Sequence, residues 1–435
     1  MRMARPSRSL SRNPLNSSVR LGALLAFTAF MGACDLGTSP GDGDGDAPPP
    51  ITELPRSLSV AELGILEAAN VFGFDLLRQV RAAEPRENVF LSPLSASMAL
   101  GMTANGAHGE TLSEMRQALR FGDLPEQEVN RAYRELIDLL RDLDPAVDFH
   151  VGNSIWHRQG WEPEAPFQEM NREYFDATVQ GLDFSDPAAV TTINNWVHEA
   201  TQGRIPSIVE SPIDPRTVLF LINAIDFDGK WTRGFDPAAT RSHTFRNHDG
   251  TEGTVQLMTR RGEVRIGVTT GADVMELPYG GDAFVMTVVI PRGDRSVDAL
   301  VESLDAEGWA SLVGSLHPTD ALVGLPRFTM EWERTLNDDL QALGMERAFV
   351  PHLADFTRMF SDALEWQVHI HNVKQKSFVE VDEVGTRASA ATSVEVGVVS
   401  APPTVFADRP FLFAIRERLS GTILFLGVMV EAPEA

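Results

Sequence analysis

The amino-acid sequence predicts a single large α+β domain, in which helices come early in the chain and strands come late. Segments with apolar residues at three- and four-residue spacing lie mainly before residue 143, whereas runs rich in β-branched and aromatic residues dominate the rest. Neither a second linker nor an internal repeat interrupts the chain after about residue 58. This segregation favours large, mostly antiparallel sheets over a repeating βαβ fold.

The individual elements follow from the local patterns. The clearest amphipathic spacing predicts helices at residues 58–84, 109–121 and 126–143. Apolar runs of strand character occupy residues 147–157, 217–229, 274–280, 283–292 and 321–333. With 435 residues, of which 43% are hydrophobic, the chain can bury a large core.

Charge and cysteine content exclude several classes of protein. The formal net charge of -24 would repel phosphate backbones, so we expect no nucleic-acid partner. The single cysteine, Cys34, permits neither an internal disulfide nor a multi-cysteine metal site. Packing alone must therefore stabilise the domain.

Residues 1–33 have the pattern of an export signal, with an arginine-rich start and a short apolar run. Gly32 and Ala33 precede Cys34, which resembles a bacterial lipobox that leaves a lipid-modified cysteine, although Met31 is unusual there. The alternative is an ordinary export signal followed by an incidental cysteine. Both readings predict a protein that leaves the cytoplasm, either anchored to the cell envelope, at its periplasmic or cell-surface face, or secreted.

Residues 34–57 are rich in Gly, Asp and Pro and predict a flexible linker before a domain at residues 58–435. The alternating Asp42, Asp44 and Asp46 could suggest a calcium loop, but the downstream Glu of such loops is missing. The string at residues 37–41 matches G-x-S-x-G without the strand and helix that a hydrolase elbow requires.

Residues 383–410 form an unusually long connection between two strand-like segments, and such connections are usually functional or disordered. Gly385 permits a hinge, and the small residues after it could enter a sheet without overpacking it. If the segment were extended, one face would be uncharged and nearly apolar, and the other would carry both charges. The first face comprises Thr386, Ala388, Ala390, Thr392 and Val394, and the second comprises Arg387, Ser389, Ala391, Ser393 and Glu395. The loop could therefore become a half-buried strand; the alternative is a mobile surface loop.

The chain resembles the serpin family in this segment and in several others. The hinge string GTRASAAT at residues 385–392 is similar to the family's signature, and further motifs follow the family's order at residues 88–115, 193–209, 220–237, 325–345 and 377–386. The resemblance implies a serpin fold with about nine helices around three sheets and an exposed reactive-centre loop. It also implies a suicide inhibitor of serine proteases, which inserts its cleaved loop into its main sheet and needs no catalytic residue, cofactor or metal.

The resemblance places the cleaved bond at Val399–Ser400, with a shift of one or two residues as the alternative. Val398 and Val399 are small and apolar, so they suit an elastase-type pocket and not a trypsin-like one. We expect elastase-like serine proteases as partners, with cysteine proteases left open, and a monomeric inhibitor. The hinge residues are Glu383, Gly385, Thr386, Arg387, Ala388, Ser389, Ala390, Ala391 and Thr392.

Supporting residues are also implied by the resemblance. Ser92, Ser95 and Asn223 would form the shutter beneath the opening sheet, where the family's histidine is replaced by Gln375. Trp231 would lie at the breach where insertion begins, and Arg327 would pair with Glu383. Ordinary packing or a weak surface ion pair is the alternative for these residues. Two departures stand out: Arg387 replaces a usually acidic residue, and Gln375 cannot titrate near neutral pH.

Three competing interpretations remain to be weighed. A non-inhibitory serpin acting as a surface-binding module would be indicated by bulky, charged or proline residues on the inserting face, and none is present there. A secreted serine hydrolase is disfavoured because no nucleophile motif has its structural context. His369 and His371 could suggest a metal, but an ordinary polar strand face is favoured over a two-histidine site.

Overall fold

The computed structural model describes residues 49–386 and 402–433. Within these ranges it contains nine α-helices: Val60–Ala83 (α1), Pro93–Ala104 (α2), Gly109–Ala118 (α3), Glu126–Arg141 (α4), Ala165–Phe175 (α5), Ala188–Ala200 (α6), Val297–Glu302 (α7), Ala306–Gly314 (α8) and Asn337–Ala342 (α9). The three helices predicted from spacing are confirmed as α1, α3 and α4. The first of them begins in a capping box, because the Ser59 hydroxyl accepts from Glu62 N while the Glu62 carboxylate accepts from Ser59 N.

Fourteen strands are present in the same ranges: Val89–Leu91 (β1), Val147–Arg158 (β2), Thr178–Leu182 (β3), Leu219–Lys230 (β4), Arg241–Arg246 (β5), Glu252–Val268 (β6), Ala272–Tyr279 (β7), Phe284–Pro291 (β8), His317–Thr335 (β9), Lys374–Val381 (β10), Gly385–Thr386 (β11), Thr404–Phe406 (β12), Phe411–Glu417 (β13) and Ile423–Met429 (β14). All five predicted strand segments are confirmed, as β2, β4, β7, β8 and β9. The architecture is the predicted α+β class.

Hydrogen bonding joins the described strands into two sheets. The larger has the order β1-β14-β13-β8-β7-β6-β9-β10, with β5 on β6 and β12 on β9, and the smaller has the order β11-β4-β2-β3. Three sheets were expected, and the described strands join into two because β6 and β9, 17 and 19 residues long, pair with different strands along their length. Nearly all pairs are antiparallel; the exceptions are β2 with β3 and β9 with β12.

The hydrophobic core lies between the helices and the sheets. Every residue of β8, β13 and β14 is buried, as are most residues of α1 and α2. Each large apolar side chain that folding removes from water contributes about 1.5–3 kcal/mol. This core holds α2 directly beneath β4 and β14, where its first turn contacts the functional site described below.

The carboxyl end of the predicted linker is packed on the domain. Ile51 N donates to Gly281 O at 2.6 Å, Arg418 Nη2 donates to Ile51 O at 2.9 Å, and Leu54 packs against the core. The prediction of a free linker up to residue 57 is therefore corrected for residues 49–57, because two apolar side chains find a surface there. The signal segment, Cys34 and the residues up to 48 lie outside the described ranges. Within those ranges, no helix is long and apolar enough to span a membrane.

Candidate functional site

A cleft separates β4 of the smaller sheet from β10, the last strand of the larger sheet. In the described part of the chain, the edge of β4 that faces β10 is paired only with the two-residue strand β11. The walls of the cleft are Ile225, Asp226 and Phe227 on one side and Phe378 and Val379 on the other, with Thr386 above and Thr201, Arg204 and Ile205 across it. A partly unpaired strand edge is a template for an additional strand.

The upper end of the cleft is closed by the turn that leads from β10 into β11. Trp231 N donates to Val384 O at 2.8 Å, and the Asp382 carboxylate accepts from Val384 N and Gly385 N at 2.8 and 3.1 Å. A Cβ atom on Gly385 would lie 2.5 Å from Lys230 Cα and closer still to Gly229 O. Glycine is required here because the two backbones approach too closely for any side chain.

Trp231, Tyr279 and Thr386 form one contact unit at this end. The Trp231 and Tyr279 rings stack with centroids 4.4 Å apart, and Trp231 Nε1 donates to Asp382 O at 2.9 Å. The Tyr279 hydroxyl lies 3.0 Å from Thr386 Oγ1, and burial raises the pKa of that tyrosine far above its usual range. Trp231, which the resemblance assigned to the breach, lies beside the hinge residues Val384 and Thr386, and Tyr279 is a partner that the sequence did not indicate.

The predicted pairing of Arg327 with Glu383 is weak in the structure. Arg327 Nη1 lies 4.0 Å from Glu383 Oε2, and the Arg327 side chain is 59% exposed. The nearer partner of the buried carboxylate is Thr240, whose hydroxyl donates to Glu383 Oε1 at 2.7 Å. An exposed pair of this kind contributes at most about 1 kcal/mol.

The predicted shutter residues meet below the cleft, where the first turn of α2 lies between β4 and β10. Gln375 Nε2 donates to Ser92 O at 2.8 Å, and Ser92 N donates to Gln375 Oε1 at 3.3 Å. Ser92 Oγ donates to Leu424 O at 2.7 Å and accepts from Ser95 N, and Ser95 Oγ donates to Asn223 O at 3.5 Å. Gln375 therefore satisfies both polar groups of the Ser92 backbone with one neutral side chain.

Asn223 has one unsatisfied atom in this otherwise bonded group. Its Nδ2 donates to Asn153 Oδ1 at 2.6 Å, whereas its Oδ1 is buried without a hydrogen-bond partner. An unpaired buried acceptor costs about 1–3 kcal/mol. Asn153, which lies directly opposite Asn223 in the β2–β4 register, was not recognised from the sequence.

Sequence reasoning also missed a buried ionic contact across the cleft. Arg204, four residues beyond α6, donates to the Asp226 carboxylate, to Asp228 Oδ2 at 2.6 Å and to Phe227 O at 3.3 Å. Burial raises the pKa of Asp226 above its usual range even though Arg204 opposes the shift. The alternation Asp-Phe-Asp within an otherwise apolar strand was the signal that could have revealed it.

Several predicted residues do not contribute to this site. His369 and His371 were expected on one strand face, but residues 367–373 have no strand structure, and His371 lies 3.6 Å from Asp214 Oδ2. The described residues contain no group of three side chains that could hold a metal ion. The hinge residues Arg387, Ala388, Ser389, Ala390, Ala391 and Thr392 and the bond Val399–Ser400 lie outside the described residues.

Comparison with known proteins agrees with this geometry. A family model described as Serpin (serine protease inhibitor) matches residues 67–432. Neuroserpin of Gallus gallus is 35% identical over 394 residues, which are 87% of this chain and 92% of the relative. Glia-derived nexin of Mus musculus is 32% identical over 384 residues, 86% and 93% of the two chains.

Solved structures give the same picture. The native state of the thermophilic serpin tengpin superposes with a TM-score of 0.76 at 29% identity, covering 89% of this chain and 98% of tengpin. Native protease nexin-1 with heparin gives a TM-score of 0.75 at 28% identity, covering 85% and 100%. The similarity thus extends over nearly the whole described domain.

Proposed function

Since the chain belongs to the serpin family of serine protease inhibitors, we propose that it acts as a suicide substrate. The target protease attacks the bond Val399–Ser400 and forms an acyl-enzyme with Val399. The hinge segment, residues 383–392, then leads the cleaved loop into the cleft between β4 and β10 as an additional strand. The displaced protease is distorted before water can hydrolyse the ester.

The observation that carries this proposal is the pairing of Gly385 with Lys230 and of Thr386 with Gly229. These two residues occupy the first positions along the edge of β4, and the cleft continues directly below them. Because β4 is 12 residues long, an inserted strand has about 40 Å of edge to occupy.

The same antiparallel register predicts where the rest of the loop would lie. Each step along the hinge moves one residue back along β4, so Thr392 would lie opposite Asn223 and Val396 opposite Leu219, the first residue of β4. Residues directly opposite each other share a face of the sheet. The Thr392 hydroxyl would then approach the unpaired Asn223 Oδ1, which gives the inserted state a hydrogen bond that the described state lacks.

The composition of the loop fits this path. Thr386 contacts Tyr279 on the inner face, so Ala388, Ala390 and Thr392 would follow it inward, and all of them are small and uncharged. The charged Arg387 would project outward, opposite Asp228. Opposite charges in a cross-strand pair stabilise it, so an arginine at this hinge position is compatible with insertion into this sheet.

The target class follows from Val398 and Val399. A small apolar residue at the cleaved bond fits a shallow apolar pocket. In a trypsin-like pocket, the same residue would leave the buried carboxylate without a cation. We therefore propose elastase-like serine proteases as targets. Cysteine proteases remain a second group to test.

The location of the inhibitor is proposed from residues 1–34. Export and lipid modification at Cys34 would attach the domain to the cell envelope through residues 35–48, a tether of roughly 50 Å when fully extended. Labelling with a radioactive fatty acid tests the attachment, and Cys34→Ser should abolish both the label and membrane retention. Retention of the Cys34→Ser protein in the membrane would refute lipid modification at this residue.

The central test mixes the protein, started at residue 46 so that the packed residues 49–57 are kept, with elastase, chymotrypsin and trypsin. A covalent complex on denaturing gels with elastase, and a released peptide that begins at Ser400, are the expected results. Clean cleavage without a complex by every protease would refute the inhibitory proposal and favour a non-inhibitory serpin that acts as a surface-binding module.

A further inference from the structure

Arg204 occupies a specific position on the open edge of β4. Trp231 N donates to Val384 O, and Thr386 pairs with Gly229, so the odd-numbered residues of β4 direct their backbone groups toward the cleft. Phe227 is the next of these residues below the last paired position. Its carbonyl oxygen is the acceptor that the backbone N–H of residue 388, which would lie opposite Phe227, would use in an inserted strand.

That acceptor is already engaged by Arg204, whose Nη1 lies 3.3 Å from Phe227 O. The same guanidinium bonds to the Asp226 and Asp228 carboxylates, and the Arg204 side chain is only 7% exposed. Arg204 reaches this position from the connection after α6, a helix that packs across β2 and β4. A strand that extends beyond Thr386 would therefore compete with the Arg204 side chain for Phe227 O.

We propose that Arg204 is a stop that holds the hinge at Thr386 until the loop is cleaved. This inference rests on the proposed inhibitory function and concerns the regulation of the same cleft. The stop acts by occupying the carbonyl of Phe227 and by fixing the connection after α6 to two carboxylates of β4.

The register also identifies what replaces the stop. Arg387 would lie opposite Asp228 on the outer face, the face on which Arg204 now binds Asp226 and Asp228. During insertion the Asp228 carboxylate would exchange the Arg204 guanidinium for that of Arg387. The Asp228 side chain is partly buried, 21% exposed, so a second cation beside it lowers the cost of losing Arg204.

The contact between Arg204 and the β4 carboxylates leaves one polar atom unsatisfied, which lowers the cost of breaking it. Asp226 is 3% exposed, and its Oδ2 has no hydrogen-bond partner. The charged or titratable groups that face Asp226 are Arg204, Asp228 and His150, the last from the adjacent strand β2. One guanidinium thus serves two carboxylates and leaves part of one unsatisfied.

The first experiment measures spontaneous insertion without any protease. Arg204→Gln protein is incubated under native conditions, and samples are followed for inhibitory activity and for melting temperature. We expect conversion to an inactive form with a higher melting temperature, roughly ten- to hundred-fold faster than in the parent protein, the factor that corresponds to loss of a hydrogen bond to a charged group. Arg216→Gln is the matched control, because its ion pair with Asp214 is on the same connection but is solvent-exposed.

A purely structural role for Arg204 makes a different prediction. If Arg204→Gln only weakened the fold, activity would be lost together with a lower melting temperature, and adding Thr386→Arg would not slow the loss. If Arg204 is a stop, Thr386→Arg should suppress the conversion, because full insertion would keep the arginine at residue 386 buried without a partner. Conversion at the parental rate, or loss of activity without gain in melting temperature, would overturn the proposal. If Arg204→Gln does not fold, Arg204→Lys, which keeps the charge and loses the planar fork, serves for the same comparison.

The second experiment tests the exchange at Asp228. Asp228→Lys should reduce the fraction of protease trapped, because Arg387 then meets a like charge, and the double variant Asp228→Lys with Arg387→Glu should restore it. Lack of rescue would overturn the exchange with Arg387. Failure of the parent protein to trap any protease would instead refute the proposed function, and the protease-free conversion would still show whether Arg204 is a stop.

Discussion

Thr386→Arg provides the sharpest perturbation of strand insertion. Thr386 is 6% exposed, its hydroxyl lies 3.0 Å from the Tyr279 hydroxyl, and its backbone pairs with Gly229. The nearest carboxylates of β4, at Asp226 and Asp228, are on the opposite face and already bind Arg204. A guanidinium at residue 386 would therefore be buried without a partner, at a cost of several kcal/mol.

This cost is large enough to turn Thr386→Arg from an inhibitor into a substrate of the protease. In the uncleaved protein the two-residue strand β11 can leave the edge of β4 and expose the guanidinium, whereas an inserted loop keeps residue 386 buried. A penalty of about 3 kcal/mol on insertion then slows it roughly hundred-fold, so hydrolysis of the acyl-enzyme overtakes trapping. Denaturing gels with elastase should show cleaved Thr386→Arg protein and almost no complex, while the cleavage rate stays unchanged. Thr386→Val, which keeps the shape and loses the hydroxyl, is the control and should still trap protease. Normal trapping by Thr386→Arg would refute the reasoning that Thr386 enters the sheet at this position.

Three further predictions follow from contacts around the cleft and at the start of α1. Trp231→Phe removes the bond to Asp382 O and should lower the free energy of unfolding by about 1–2 kcal/mol, measured by urea denaturation; an unchanged midpoint would contradict it. Gln375→His should make stability fall as the pH drops from about 7.5 to 5.5. A buried histidine without an acidic partner has a lowered pKa, and it must be neutral to accept a hydrogen bond. Melting temperatures across that range test this, and the fall should be larger in Gln375→His than in the parent protein. Burial raises the pKa of Glu62, but hydrogen bonds from Arg56 and Ser59 outweigh it and hold that pKa below its usual range. Deleting residues 49–57 removes Arg56. A carboxyl group with a lowered pKa stabilises the fold above pH 4.5, and this stabilisation is lost as the pH falls below that value. The deletion should therefore lower the melting temperature at pH 7, and the difference in melting temperature between the deleted and the parent protein should become smaller below pH 4.5.

The elements that the sequence predicted are those with strong local patterns. Helix α4 has charged residues on one face and a buried apolar stripe on the other, so its spacing alone identified it. The fully apolar strands were likewise visible as runs. The family resemblance assigned one role to Ser92, Ser95, Asn223 and Gln375, and the structure joins these four residues by hydrogen bonds.

What the sequence did not show depends on contacts between distant segments. Arg204 and Asp226 are 22 residues apart, and only the packing of α6 across β4 brings the guanidinium to the cleft. Thr240 bonds to Glu383 across 143 residues. Ile51 and Leu54 lie in a segment whose Gly, Asp and Pro content indicated a linker, and their burial depends on a surface built by residues more than 200 positions away.

The most direct test of the account compares hydrogen exchange and melting temperature before and after cleavage of the loop between residues 387 and 401. Ile225 and Phe227 direct their backbone N–H groups toward the cleft, so a strand inserted beside β4 would bond to both. We predict that cleavage slows exchange at these two amides and raises the melting temperature. Unchanged exchange at Ile225 and Phe227, with a melting temperature equal to that of the intact protein, would contradict insertion into this cleft.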